Sequence, residues 1–129
     1  MCIRDSHNVD DFKIKRSTKY VYNFSGKIKE EISDEYDDEG VFMERRAVIY
    51  EYNEDESLLL RETFKRYNST VDIWITLSWR NYTYNPDGCE IRREHIANVG
   101  GFSDVIEYER NNDCQITKET RLILSLIHI

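Results

Sequence analysis

The sequence has little basic charge, little proline and no long apolar run, and each shortage closes off a class of protein. Lysine and arginine total 18 against 25 aspartates and glutamates, a formal net charge of −7. Phosphate-rich partners need clustered Lys and Arg, so nucleic acid is not an expected partner. The apolar tail from Leu122 to Ile129 is far shorter than the ~20 residues of a membrane-spanning helix, and no membrane span is expected. Residues 28–39 are helix-compatible by propensity, but Ile28 and Ile32 alone make a poor apolar face, so no helix is expected. Proline occurs once, at Pro86. Of three cysteines, only Cys89 and Cys114 lie away from the amino terminus, too few to declare a compartment. No Ser–His–Asp arrangement, phosphate-cradling glycine loop or metalloprotease helix is visible. No catalytic residue, cofactor or metal site is therefore assigned.

Aromatic residues are plentiful. They make up 12% of the chain, with nine tyrosines, although 33% of residues are charged and the mean hydropathy is −0.70. Disordered chains are poor in aromatics, so the composition describes a folded but thin structure.

The aromatics recur in a pattern. Tyr20-Val-Tyr22-Asn23 leads to Gly26 and Ile28, and Tyr50-Glu-Tyr52-Asn53 leads to Glu56 and Leu60. Tyr82-Thr-Tyr84-Asn85 leads to Asp87, Gly88 and Ile91, and Ile106-Glu-Tyr108 leads to Asn112, Asp113 and Ile116. Aligning the second tyrosine at 22, 52, 84 and 108 gives spacings of 30, 32 and 24. Tyr-x-Tyr puts two rings on one face of a strand. Asn, Asp and Gly then supply a tight turn, because Gly accepts positive φ and Asn or Asp bonds its own backbone. Further turns are expected at Tyr36 to Gly40 and at Asn98 to Gly101. Each unit should thus hold two strands and two turns. The expected fold is all-β: antiparallel hairpin repeats forming an open twisted meander of about eight strands. The strands are expected at 19–24, 27–33, 41–52, 57–66, 71–84, 89–97, 103–110 and 114–121. In the fifth, apolar residues alternate from Val71 through Ile73, Ile75 and Leu77 to Trp79. The phase then changes to Tyr82 and Tyr84, which predicts a bulge near Arg80 and Asn81.

This pattern resembles the tyrosine–aspartate (YD, or RHS-type) repeats of bacterial surface proteins and large polymorphic toxins, over roughly residues 19–120. The match is loose at Glu56, which stands where the motif has Gly, and at Asn112-Asp113. The resemblance implies a curled sheet serving as shell, stalk or adhesive surface, outside the cell or on its surface. It transfers no catalytic residue.

The chain ends resemble something else. Leu124 to Ile129 is a translation of CTG TCT CTT ATA CAC ATC, the transposase end sequence used in making sequencing libraries, and Met1 to Ser6 is a translation of its reverse complement. The resemblance implies that residues 1–6 and 124–129 are library-derived, with a leader of uncertain structure at 7–18. Residues 19–121 would then be the repeat domain, a fragment of a longer array.

Several features invite chemistry and have plainer readings. The run Asp34, Glu35, Asp37, Asp38, Glu39 could attract calcium, but reads better as a solvated turn. Cys89 and Cys114 are read as occupying equivalent places in successive repeats, roughly 9–10 Å apart and beyond the ~7 Å limit for a bridge. Two free thiols are expected, with His95 a strand residue rather than a third zinc ligand. Arg61-Glu62, Arg93-Glu94 and Lys118-Glu119 recur, so they read as cross-strand charge ladders. Asn23, Asn68 and Asn81 begin glycosylation patterns that matter only in a secreted eukaryotic protein. Trp74, Tyr82, Tyr84 and Tyr108 are the candidate binding surface. Asn53, Asn85, Asp87, Gly88, Asn112 and Asp113 are the candidate turn residues.

Functionally, the expectation is a non-enzymatic structural or adhesive segment of a larger surface or secreted protein. Its partners would be an unknown protein or carbohydrate, and flanking repeats of the same chain. A small-ligand-binding up-and-down β-barrel and a fragment of a β-rich glycan-acting enzyme are the alternatives.

Overall fold

The turns organise the fold. In a computed structural model, which describes residues 15–124, one turn design recurs at 23–27, 37–41, 85–89 and 111–115. In each, the Oδ1 of the opening Asn or Asp accepts the N–H four residues on, at 2.9, 2.9, 2.9 and 3.0 Å. A fifth turn, opened by Asn53, is one residue longer and closes the same way on Leu58 at 3.0 Å. The fourth residue of each turn is left-handed: Gly26, Gly40, Glu56, Gly88 and Cys114, with φ between 61° and 88°. Such three-residue loops end in a bulge that matches strand twist. The register duly slips beside every one of them, at Val21/Tyr22, Glu35/Tyr36, Glu51/Tyr52, Thr83/Tyr84 and Glu109/Arg110.

Between turns run eight antiparallel strands: β1 (Arg16–Tyr22), β2 (Ile28–Tyr36), β3 (Phe42–Tyr52), β4 (Leu59–Asn68), β5 (Ile73–Tyr84), β6 (Glu90–Ala97), β7 (Ser103–Arg110) and β8 (Ile116–Leu124). They form one sheet in sequence order. Among the described residues each strand touches only its sequence neighbours, and β1 does not meet β8. The sheet is open, so the closed-barrel alternative is not what this chain builds. All eight expected strands are present. β1 starts three residues before the expected repeat domain, and β8 runs on to Leu124. Residues 1–6, and 125–129 of the second library-like segment, lie outside the described residues.

Cross-strand partners share a face, so the register sorts the side chains. One face carries Val21, Ile32, Ala47, Ile49, Thr63, Trp79, Ile96, Val105 and Leu122. Ala47, Thr63, Ser103 and Val105 on this aliphatic face are buried to between 3% and 7% exposure. Among the described residues no large side chain is fully buried, as a single layer dictates. A polar ladder crosses the same face: Arg61 Nε donates to Asn81 at 2.7 Å, Asn81 Nδ2 to Glu94 at 3.1 Å, and Arg92 to both Glu94 and Glu107 at 3.4 and 3.2 Å. The opposite face carries Tyr20, Tyr50, Tyr82 and Tyr108 and is called the tyrosine face below.

Three sequence expectations need correction. The bulge in β5 lies at Leu77, not near Arg80: Phe64 faces Ser78 while Lys65 faces Thr76. The extra residue is held by Asn98, whose N–H donates to the Leu77 carbonyl at 2.8 Å and whose amide donates to that of Thr76 at 2.7 Å. The phase change therefore falls between Trp74 and Trp79, and puts both on the aliphatic face.

The fourth repeat is displaced by two residues. Asn111, not Asn112, opens its turn. Arg110 therefore stands where Tyr22, Tyr52 and Tyr84 stand, and Tyr108 aligns with Tyr20, Tyr50 and Tyr82.

The cysteines are bonded to each other, with Cα atoms 6.0 Å apart. The expectation of free thiols rested on their equivalence, and they are not equivalent. Cys114 holds the left-handed fourth position of its turn, where Gly88 stands in the other, and Cys89 comes one residue later. The β6–β7 ladder also stops at Arg92–Glu107, short of both cysteines. Arg110 spans the gap, donating to the carbonyls of Glu90 and Cys114.

Candidate binding surface

The tyrosine face is built from a repeated clamp. In the Tyr-x-Tyr pairs of β3 and β5 the first tyrosine donates its hydroxyl to a glutamate on the preceding strand: Tyr50 to Glu31 at 3.1 Å, and Tyr82 to Glu62 at 2.5 Å. The second donates to the carbonyl that opens the same strand: Tyr52 to Ile28 and Tyr84 to Leu59, both at 2.7 Å. Burial, then the glutamate bond, pushes the Tyr82 phenol up to about 12 and the Tyr50 phenol the same way. These rings are held in place by structure-forming bonds.

The candidate residues do not share one surface. Trp74 lies on the aliphatic face, packed against Tyr67 with ring centroids 5.3 Å apart, and is 40% exposed. Tyr82 and Tyr108 are on the tyrosine face, and the Tyr84 hydroxyl is taken up by Leu59. Asn53 and Asn85 cap their turns, Gly88 supplies positive φ, and Asp87, Asn112 and Asp113 are loop residues between cap and bulge. The acidic run is shared out: Asp34 grips Arg45 at 2.6 and 3.1 Å, Asp37 caps a turn, and Asp38 pairs with Lys15. The bond to Arg45 holds the Asp34 carboxyl below its usual range. The basic–Glu pairs do cross strands, Glu62 to Arg80 at 3.4 Å and Lys118 to Glu109 at 3.9 Å, while Arg93 folds onto Glu90 of its own strand.

A different group comes together on β5–β8. Arg80, Arg93, His95, Asp104, Ile106 and Arg121 line one open concavity of the tyrosine face. Arg80 lies over the Phe64 ring at 5.2 Å, and Arg93 over Tyr82 at 5.3 Å. Arg93 is bidentate to Glu90 at 2.9 and 3.0 Å, which raises its pKa further above the ordinary arginine value. His95 Nδ1 is 3.8 Å from Asp104 Oδ1. Arg121 makes no ion pair with another described residue. This cluster was missed in the sequence because its members come from four strands. One signal was available: three residues into their strands, β2, β4 and β8 carry Glu31, Glu62 and Glu119, whereas β6 carries Arg93. Chemically, the concavity offers guanidinium groups with planar geometry suited to carboxylate, sulfate or phosphate.

No helix of the described residues is long and apolar enough to cross a membrane. No family model matches the chain, and no curated protein matches it. Among solved structures it is similar to a DUF3836 family protein from Parabacteroides distasonis ATCC 8503, at 14% identity and a TM-score of 0.46, covering 84% of this chain and 91% of that one.

Proposed function

We propose that the chain is a non-enzymatic structural or adhesive repeat segment of a larger surface or secreted protein, of the tyrosine–aspartate type. It meets an acidic protein or carbohydrate through the β5–β8 part of its tyrosine face. The observation that carries this reading is the replacement of the repeating Glu by Arg93, beside Arg80, His95 and Arg121. Groups that hold a repeat together recur in it. A group that occurs once, against the pattern, changes the charge of the face instead: Arg93 and Arg80 hold Glu90 and Glu62, and Arg121, which pairs with no described acid, is the guanidinium left for a ligand. The Cys89–Cys114 bond supports an oxidising compartment, where disulfides persist.

The test is binding of the purified chain to immobilised neutral, carboxylated and sulfated polysaccharides, read by biolayer interferometry. An acidic polymer should bind and a neutral one should not. Binding should weaken with salt, and about tenfold or more in Arg121→Ser with Arg80→Ser. Equal binding to neutral polymers, or none at all, defeats the ligand assignment. Shortening of a polymer during incubation would replace it with the glycan-acting enzyme reading.

A further inference from the structure

The clamp that joins β2 to β3 and β4 to β5 is left half-made at each edge of the sheet, and the two halves match. In those junctions the even strand offers its opening carbonyl and, three residues on, a glutamate: Ile28 with Glu31, and Leu59 with Glu62. The odd strand offers two hydroxyls in front of the turn. The register is also constant. Glu31 faces Val48 and Glu62 faces Arg80, each two residues before the first tyrosine, and Arg93 faces Ile106 in the same relation to Tyr108.

Edge strand β1 carries the odd-strand half. Tyr20 and Tyr22 are 47% and 58% exposed, and their hydroxyls find no partner among the described residues. Edge strand β8 carries the even-strand half, with Ile116 as its opening residue and Glu119 three residues on, both exposed. Even and odd strands run in opposite directions, so an eighth strand meets a first strand antiparallel, as at every internal junction.

We propose that β8 of one copy pairs with β1 of a second copy, with Glu119 opposite Thr18. The Tyr20 hydroxyl donates to Glu119, and that of Tyr22 donates to the Ile116 carbonyl. This pairing does not rest on the ligand reading above, although Arg121 of β8 belongs to both surfaces. The same register sets Lys118 opposite Lys19 and Arg121 opposite Arg16. Like charges facing each other oppose pairing, and salt screens them. Association should therefore strengthen as salt rises, the reverse of the acidic-ligand binding above. Because unlike edges join, the contact is open-ended and adds copies in a row rather than closing a pair.

The experiment is sedimentation velocity of the full chain over a range of concentrations at low and high salt. At high salt a growing series of species should appear. Tyr20→Phe with Tyr22→Phe, and separately Glu119→Ala, should each weaken association about tenfold or more. Their thermal melts should be unchanged, since all three side chains are exposed. Mixed in equal amounts, the two variants should give a heterodimer and nothing longer, because one keeps a good β8 edge and the other a good β1 edge. The proposal is overturned by a wild-type chain that stays monomeric throughout, by a closed dimer, or by variants that assemble like wild type.

Discussion

Arg110 donates to the carbonyl of Glu90 in the position where Tyr84 donates to Leu59 and Tyr52 to Ile28. A guanidinium has taken the place of a phenol without loss of the contact. It also gains one, because a second nitrogen reaches the Cys114 carbonyl at 2.6 Å. Substituting Arg110 with Lys should therefore cost more than substituting either tyrosine with Phe. A Tyr52→Phe or Tyr84→Phe change removes one hydrogen bond, about 1 kcal/mol. Arg110→Lys removes a forked donor that serves two carbonyls, about 2 kcal/mol. Urea denaturation of the three variants checks the order, and equal losses would mean that Arg110 uses only one of its bonds.

The disulfide closes a segment with a sequence separation of 25. Cross-linking a loop of that size stabilises by roughly 3 kcal/mol, mainly by restricting the unfolded chain. Cys89→Ser with Cys114→Ser should lower the urea midpoint accordingly. A reducing agent should do the same to the wild type and leave the double variant unaffected.

Gly88 shows the cost of a left-handed turn position. Its φ is 85°, and an added Cβ would meet nothing within 4 Å. Gly88→Ala should then cost about 1–2 kcal/mol from backbone conformation alone. Gly88→Asn should cost less, because Asn visits that region more readily. A larger loss with Asn than with Ala in chemical denaturation would show that something other than φ sets the requirement.

Alkaline pH should loosen the sheet. In the unfolded chain tyrosine ionises near pH 10 (about 10), whereas burial and the Glu62 bond hold the Tyr82 phenol at about 12. Between these values the folded state keeps a proton that the unfolded state has lost. Stability is then fully present below about pH 10 and falls as pH rises through the folded pKa. Tyr50, Tyr52 and Tyr84 are shifted in the same direction, led in each case by burial. Urea midpoints from about pH 9 upward should decline in the wild type and decline less in Tyr82→Phe. A midpoint independent of pH would show that these phenols are not held by the fold.

The strands were legible in the sequence because two local signals agree: alternation of side chains, and an Asn or Asp opening a turn of fixed length. That is enough to read β3 as 41–52 and find Phe42–Tyr52. The errors begin where a residue keeps a role but changes type. Arg110 for tyrosine and Cys114 for glycine moved the fourth alignment by two residues, and that displacement hid the disulfide. The Leu77 bulge was invisible for another reason. It is fixed by Asn98, a residue beyond the next strand, and local periodicity does not report a partner so distant. The Arg80, Arg93, His95 and Arg121 group escaped for the same cause.

Among the described residues each strand touches only the one before it and the one after. The chain is thus close to a one-dimensional object, in which stability is a sum of hairpins and the junctions between them. Such a sheet can gain or lose a pair of strands in evolution without any core having to be repacked. Its length can be set by what it must reach across rather than by what it must enclose.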